Sequence, residues 1–426
     1  MTNALPTRAA WIGLLYLAAA FGFGRLGLPD VGFAVVALGA TAVGVWILLR
    51  HTPPEPAIWL GVAVAAAMAI APVLALLSGS AVGRGQLAFA IAVGVSVWAA
   101  TLIPPATTRW SALGVLALVS WAGLAAGVLA MADVFSYGLF IEPAQDRALF
   151  GLDQLRGVMP HPNTMGIFAG IAVALGVRQV ITDVADGVRG VGRIGGVIGL
   201  VILPSVLALV WSQSRTSAIA AGTGLVVALL PLGRRGWDWV PTAIAAAAGL
   251  MITVPVILTE TTGYTFNGRD LPWSFAQTDF EAAPLFGAGP TFLTKFYVDN
   301  PNLPWYPETA HNLLMQAIGE TGLLGLLTLA GLIIAMCVVA VRAVPFDRQW
   351  ALIIVVTFCL LGGQESSLSL PVRSALVVQM AVLGASALLV SRGVRIAASG
   401  RTDPPESLDS PMPGPPETRD PAPDRG

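Results

Sequence analysis

Apolar segments separated by short polar connections make up most of the chain. A bilayer-spanning helix needs about 20 apolar residues, and segments of roughly that length recur almost throughout the sequence. The predicted spans are 9–24, 31–49, 57–77, 86–103, 110–131, 163–180, 194–211, 216–232, 239–259, 312–340, 350–363 and 374–391. About 12 spans predict an all-α polytopic membrane protein, because a helix satisfies its own backbone hydrogen bonds inside lipid.

Arginines indicate which side of the membrane each connection faces. They concentrate in short connections and near the ends of the chain, at Arg8, Arg50, Arg109, Arg178, Arg189, Arg193, Arg234, Arg235, Arg342, Arg348, Arg392 and Arg395. Short basic connections stay on the cytoplasmic side. An even number of spans places both termini on the same side, so we expect both termini in the cytoplasm.

Two long loops, at about 132–162 and 260–311, are then expected on the outer side. The second is rich in Trp, Phe, Tyr, Pro and Gly, which suits a lid or a sugar-stacking surface, or alternatively an interfacial aromatic belt. Residues 1–395 form the predicted transmembrane domain. Residues 396–426 are dense in proline and charge, which predicts a disordered cytoplasmic tail.

Composition excludes several functional classes. Only 11% of the residues are charged and 55% are hydrophobic, whereas soluble domains contain about 25% charged residues. No basic run indicates a nucleic-acid partner. The 3 histidines lie far apart, and no P-loop or GxSxG motif is present, so we expect no metal and no cofactor. Cys337 and Cys359 fall in apolar segments, where they are expected to act as small buried hydrophobes.

The first polar stretch at the expected outer side is RGVMPHPNTMG. Arg156 and His161 precede Pro162, and Asn163 or Thr164 is expected to cap the next span. The proline favours an extended residue before it. Arg156 is the better functional candidate, while His161 and Asn163 also fit simple loop and cap roles.

The second stretch, WSQSRTS, divides a long apolar region into two spans. Arg215 lies in this short hairpin, at a helix start where the helix dipole disfavours a cation. Flanking serines and free backbone amides would attract an anion together with the guanidinium, which predicts a phosphate site. The alternative is an arginine that reaches the lipid headgroups.

The third stretch is AHNLLMQAIGETGLLG, where a polar loop turns into an apolar helix. We expect His311 in the first turn of this helix, as a neutral ring able to accept a proton, or alternatively as a plain cap residue. At about 100° per residue, Gly322 and Gly325 would share its face, and with Gly319 they would admit another helix beneath the ring. Glu320 is expected on the opposite face. Asp30, in the first outer loop, is a weaker alternative base.

Three of these features resemble the O-antigen ligase and polymerase superfamily. The pattern H-[N/S/Q]-x9-G-x-x-G is met by His311, Asn312, Gly322 and Gly325. An S-x-S-R hairpin is met by Ser212, Ser214 and Arg215, and an arginine followed by Pro-Asn at a helix entry is met at Arg156 and Pro162-Asn163. The motif order agrees across nearly the whole chain except the tail.

The resemblance implies a metal-independent, inverting glycosyltransferase on the outer face of the cytoplasmic membrane. Its donor would be a polyprenyl-diphosphate-linked glycan, and its acceptor a hydroxyl on a lipid, glycan or protein. His311 would be the general base, and Arg215 and Arg156 would hold the diphosphate. Further candidates are Arg269, Lys295, His161 and Asn312, while Gly319, Gly322 and Gly325 would be structural.

Other functions stay open at this stage. A polymerase of lipid-linked repeat units belongs to the same superfamily and differs only in its acceptor. From other classes, a 12-span transporter or flippase would line a central pathway with intramembrane charges, and a non-catalytic scaffold would tolerate changes at the outer polar residues.

Overall fold

A computed structural model describes residues 105–143, 152–159, 161–188, 190–232, 238–252, 270–289 and 310–364, together with isolated positions such as Phe292 and Leu293. Most of the first four predicted spans, the last span and the tail 396–426 lie outside this part of the chain. The same holds for Asp30, Arg269 and Lys295.

The described elements are almost all helical. They are α1 (Pro105–Met131), α2 (Tyr137–Phe140), β1 (Ile141–Glu142), β2 (Gln154–Leu155), α3 (Pro162–Ala185), α4 (Val191–Val197), a π-helical turn (Ile198–Ile202), α5 (Leu203–Ser212), α6 (Arg215–Leu229), α7 (Val240–Met251), α8 (Asp270–Ala282), α9 (Leu313–Asp347) and α10 (Trp350–Gln364). β1 and β2 pair antiparallel, with Ile141 opposite Leu155.

Four described stretches are long and apolar enough to cross a membrane: Ala112–Met131, Pro162–Ala185, Val191–Ser212 and Leu313–Asp347. Arg215–Leu229, Val240–Met251 and Trp350–Gly363 are shorter apolar helices. These seven stretches coincide with seven of the predicted spans. A helical membrane protein is therefore confirmed for the described residues, whereas the total of about 12 spans remains a prediction.

α3 lies at the centre of the described helices and packs against α1, α5, α6 and α10. Its glycines allow close approach: a Cβ added at Gly170 would lie 3.0 Å from the Cβ of Ala221 on α6. Phe168, Ala172 and Leu175 are fully buried. The large apolar core therefore forms around α3.

Pro204 explains the π-helical turn in the span Val191–Ser212. Because proline has no N–H, it cannot donate to the carbonyl of Leu200 four residues earlier. The indole Nε1 of Trp121 on α1 donates to that oxygen instead, at 3.1 Å. The irregular turn is therefore hydrogen-bonded to the neighbouring helix.

The helices define two ends of the bundle. The His311 end contains Pro162, the connection between α5 and α6, and the start of α9 next to Gly363 at the close of α10. The Arg348 end contains the first turn of α1 and the turn between α9 and α10. The described parts of the two loops predicted to be long lie at the first end. The described arginines Arg109, Arg178, Arg193 and Arg348 of the basic connections lie at the second.

The loop predicted at 260–311 contains a helix, α8, that packs on α9. Trp273 on α8 is fully buried with Ala276, Phe292 and Met315, and its Nε1 donates to the carbonyl of Ala310 at 2.5 Å. Trp273 and Phe292 are therefore core residues of a small second cluster. Neither the sugar-stacking surface nor the aromatic belt applies to these two side chains.

Candidate functional site

His311 lies just outside its helix rather than in the first turn, which corrects the sequence expectation. α9 begins at Leu313 with Asn312 as its N-cap, and His311 has a left-handed backbone with φ of 51°. The predicted alignment of His311 with the glycines around one helix axis therefore does not hold. The imidazole is half-buried next to the N-terminus of α9.

Asn312 fixes the position of the corner formed by His311 and the N-terminus of α9. Its Oδ1 accepts from the backbone N–H of Leu314 at 2.9 Å and of Met315 at 3.1 Å. Its Nδ2 donates to the carbonyls of Gly363 at 3.0 Å and Ile252 at 3.4 Å. One fully buried amide therefore caps α9 and connects it to the ends of α10 and α7.

The glycines serve a different packing from the one predicted. Gly322 has φ of 58° and ψ of −147°, which kinks α9 in a conformation available mainly to glycine. Across the kink, Leu323 N donates to the carbonyl of Pro284 at 2.8 Å, and Ala288 N donates to the carbonyl of Gly319 at 2.8 Å. Among the described residues, the turn that follows α8 approaches α9 here, where another helix was expected.

The atoms that surround each glycine agree with this correction. A Cβ at Gly319 would lie 2.6 Å from the ring of Phe292, and a Cβ at Gly322 would lie 2.7 Å from the backbone N of Gly287. A Cβ at Gly325 would collide with Thr321 of its own helix, whose hydroxyl donates to Ala317. Gly319 and Gly322 therefore admit the 260–311 loop close to His311.

Gln316 and Glu320 also hold the loop that carries the histidine, although Glu320 was expected to face away from it. The Nε2 of Gln316 donates to Glu320 Oε1, and its Oε1 accepts from the backbone N–H of Ala310 at 2.8 Å. Sequence reasoning missed Gln316. Its i,i+4 spacing from Glu320 was the available signal.

Arg215 is the exposed first residue of α6, in the short hairpin that the sequence predicts. The neighbouring serines are buried and bonded within the protein. Ser214 caps α6 by accepting from Ser217 N at 3.3 Å, and Ser217 Oγ donates to the carbonyl of Asn163 at 3.2 Å. Ser212 Oγ donates to the carbonyl of Leu209.

This arrangement revises the predicted phosphate site. A Cβ at Gly166 on α3 would lie within 2.9 Å of Ser212, Ser214 and Ser217, so small side chains are needed for the helices to pack. The serines therefore have a structural explanation. Of the residues proposed for the hairpin site, only Arg215 presents its side chain to solvent.

Arg156 follows β2 and stabilises the small hairpin of the first long loop. Its Nε lies 3.8 Å from Glu142 Oε2, and one guanidinium nitrogen donates to the carbonyl of Gly138 at 3.3 Å. In the same loop, Tyr137 donates to Asp153 at 2.5 Å, and this hydrogen bond raises the pKa of Tyr137 above its usual value.

Gln213 was missed by the sequence reading. It adopts a left-handed φ of 53° between α5 and α6, and its Nε2 donates to the carbonyl of Leu152 at 2.7 Å. It thereby anchors the first long loop to the hairpin that carries Arg215. Nothing in its sequence context distinguishes it from an ordinary turn residue.

His161, rather than Asn163 or Thr164, caps α3, which corrects a second expectation. Its Nδ1 accepts from the backbone N–H of Asn163 at 3.1 Å. Its backbone is extended, as Pro162 predicts. The exposed ring therefore has a local structural role at the His311 end.

α10 places Arg215 and His311 at similar depth. α6 and α10 pack closely, since a Cβ at Gly224 would lie 3.1 Å from Thr357 Oγ1. At 1.5 Å per residue, Arg215 lies about 13 Å from this contact and Gly363 about 9 Å, both toward the same end. Because Asn312 bonds to Gly363, the histidine corner and the arginine hairpin both border the end of α10.

Among the described residues, no group of three or more His, Cys, Asp or Glu side chains is arranged to hold a metal ion. Cys337 and Cys359 are free thiols, the second fully buried and the first half-buried. Both lie in apolar helices, α9 and α10, as expected for small hydrophobes.

Residues 200–330 match the model of the family described as O-Antigen ligase. The range includes Arg215, His311, Asn312 and the glycines, and leaves Arg156 and His161 outside. No curated protein matches the chain. The match bears out the predicted resemblance to the O-antigen ligase and polymerase superfamily over residues 200–330.

Proposed function

We propose that this protein transfers a glycan from a polyprenyl-diphosphate carrier to an acceptor hydroxyl at the His311 end, on the outer face of the cytoplasmic membrane. The observation that carries the proposal is the placement of His311 and Arg215, both inside the matched family range, at similar depth beside the end of α10. The basic connections at the Arg348 end support a cytoplasmic position for that end.

His311 is suited to act as the general base. The acceptor hydroxyl has a high pKa and attacks effectively only if its proton is removed as the new bond forms. The acceptor oxygen bonds to the anomeric carbon while the bond from that carbon to the diphosphate oxygen breaks. The proton passes to the imidazole, the bonding electrons leave with the diphosphate, and attack opposite the leaving group inverts the anomeric centre.

Arg215 is suited to stabilise the departing diphosphate. Its guanidinium is exposed at the first residue of α6, and a guanidinium forms charge-assisted hydrogen bonds to phosphate oxygens. Arg156 takes a secondary role in this proposal, since Glu142 and Gly138 already engage it. It positions the first long loop near the donor.

The geometry around His311 supports a positioned base. Asn312 fixes the backbone that follows His311, and Gln316 holds the amide of Ala310, which precedes it. The corner is therefore bound to α7, α9 and α10. A base held by its neighbours loses little entropy when the acceptor binds.

The test is an assay of purified protein with a polyprenyl-diphosphate glycan and candidate acceptors, read out by product mass and anomeric configuration. His311→Ala and Arg215→Ala should each lower turnover by about a hundredfold or more. His161→Asn is the matched histidine control, because asparagine also accepts from a helix N-terminus, and it should retain activity.

The acceptor used in the assay separates the finer alternatives. Extension of a second lipid-linked repeat unit identifies a polymerase, whereas transfer to a lipid, protein or cell-wall glycan identifies a ligase. Movement of the labelled carrier across a vesicle membrane without a new glycosidic bond, or full activity of both alanine variants, would refute the proposal.

A further inference from the structure

The Arg348 end contains a dense cluster of charged and polar side chains that the proposed reaction does not use. Its members come from α1, the end of α3, α4 and the turn between α9 and α10. They are Arg109, Arg178, Thr182, Asp183, Asp186, Arg193, Asp347, Arg348, Gln349 and Trp350. We call this set the basal cluster.

Most of its charges are matched within the protein. Arg193 forms a two-pronged contact with Asp183, at 2.8 and 3.1 Å, and Arg348 lies 2.6 Å from Asp186. Asp347 accepts from the backbone N–H groups of Gln349 and Ala351 at the start of α10. These contacts hold the turn between α9 and α10 against α3.

Arg178 is also engaged. Its Nε donates to the carbonyl of Arg348 at 2.6 Å, and its NH1 donates to the carbonyl of Ala228 at 3.0 Å. It therefore satisfies carbonyls at the ends of α9 and α6, where a cation is favourable.

Arg109 differs from the other arginines of the basal cluster. Its described contact is with the face of Trp350, with the guanidinium carbon 5.8 Å from the ring centroid. Burial lowers the pKa of Arg109, and Asp347 opposes that effect. A guanidinium stays charged even so, which leaves a desolvated cation stacked on an aromatic ring.

Three buried polar atoms of the basal cluster have no hydrogen-bond partner among the described residues. Trp350 is fully buried, and its Nε1 has no hydrogen-bond acceptor among the described residues. The same holds for Thr182 Oγ1 and Gln349 Oε1 in that part of the chain. An unsatisfied buried polar group costs about 1–3 kcal/mol, so a ligand that paired with these atoms would stabilise the cluster.

We propose that the basal cluster binds a phosphate ester, held by the guanidinium of Arg109 and the indole N–H of Trp350. Both groups are donors only, and Thr182 adds a hydroxyl that can donate. Gln349 Oε1 only accepts, so it suits a hydroxyl on the same ligand. The ligand class is therefore a glycerol-phosphate type group, from a lipid headgroup or from a soluble ester.

The site is independent of the proposed transfer reaction, because it lies at the opposite end of the helices from His311. The four arginines and three aspartates of the basal cluster leave one positive charge in excess, which a bound phosphodiester would neutralise. Failure of the glycosyl-transfer assay would not affect this inference. Failure to bind a phosphate ester would likewise not affect the proposed transfer reaction.

The test uses the full chain in nanodiscs and measures thermal unfolding. One arm compares phosphatidylglycerol with phosphatidylcholine, and a second adds soluble glycerol 3-phosphate to phosphatidylcholine nanodiscs. Stabilisation only by phosphatidylglycerol assigns a lipid headgroup, and stabilisation by the soluble ester assigns a free phosphate ester. Absence of stabilisation in both arms would overturn the proposal.

Variants locate the site. Arg109→Gln should lower the affinity for the stabilising ligand about tenfold, because a charge-assisted hydrogen bond is lost. Arg342→Gln removes an exposed arginine near the same end but outside the basal cluster, and this variant should bind as the wild type does. An Arg109→Gln protein that responds like the wild type would refute the site.

Trp350→Phe keeps an aromatic face beneath Arg109 and removes the N–H donor, and it also leaves a small void because Trp350 is fully buried. It should weaken binding by about threefold to tenfold. This variant decides the matter if Arg109→Gln does not fold, since wild-type binding by Trp350→Phe would then overturn the proposal.

Discussion

Asn312 Nδ2 donates a hydrogen bond to the carbonyl of Gly363 at 3.0 Å, and this contact joins the start of α9 to the end of α10. The same side chain caps α9 through its Oδ1. A residue that accepts from one helix and donates to another requires the chemistry of an amide. This requirement makes the Asn312 position directly testable.

Asn312→Asp should keep the cap and lose the donor. The carbonyls of Gly363 and Ile252 would then lose their amide partner and face a carboxylate, at a cost of about 2–4 kcal/mol. We expect a lower unfolding temperature and lower transferase turnover. Thr328→Val, which removes an exposed intrahelical hydroxyl on α9, is the control. Equal stability of Asn312→Asp and wild type would contradict the proposed donor role.

Gln316→Leu should loosen the loop that carries His311, because the backbone N–H of Ala310 loses its acceptor. Hydrogen exchange at Ala310 should accelerate and turnover should fall, with a smaller change in overall stability of about 1 kcal/mol. Gln316→Glu keeps an acceptor oxygen for Ala310 but faces the carboxylate of Glu320, so it should restore part of the protection at Ala310. Unchanged exchange in the leucine variant would count against this contact.

Gly322→Ala should disrupt the kink in α9. An alanine at φ of 58° and ψ of −147° is strained, and its Cβ would also lie 2.7 Å from backbone atoms of the α8 turn. We expect a loss of about 3 kcal/mol or more, seen as poor yield and a lower unfolding temperature.

Gly331→Ala is the matched control for this prediction. It lies in the same helix, and a Cβ there meets nothing within 4 Å. Alanine in a regular helix is favoured over glycine by about 1 kcal/mol, so this variant should be neutral or stabilising. Similar behaviour of the two alanine variants would show that the kink is not required.

Trp273→Phe removes the hydrogen bond to the Ala310 carbonyl and leaves a small void in the second cluster. We expect a loss of about 2–3 kcal/mol and reduced activity through the His311 loop. Trp239→Phe, at a position that is 69% exposed, should change neither. Loss of stability without loss of activity would show that packing of the second cluster does not affect the function of His311.

Much of the architecture could be predicted from the sequence. The apolar segments 110–131 and 163–180 have no stable alternative to helices in lipid, since every backbone group must be paired within the segment. The resemblance to a known family could be predicted for a similar reason, because His311, Asn312 and the following glycines form a pattern at fixed spacing. A family-model match over residues 200–330 bears out that resemblance.

The details of the site could not be predicted, because they depend on contacts between distant parts of the chain. The kink at Gly322 lies where the turn after α8 pairs with α9. The left-handed His311 precedes Asn312, which bonds to the ends of α7 and α10. Helical geometry alone placed the histidine and glycines on one face. It could not include a backbone turn that lies more than 30 residues earlier.

The serines of the Arg215 hairpin show the same division. Sequence alone determined that a polar hairpin with an arginine separates two apolar helices. Only the tertiary structure decided that the serines face Gly166 and are buried, while Arg215 is exposed. A local pattern specifies hydrophobicity and turns, but which polar groups remain available for a ligand depends on what packs against them.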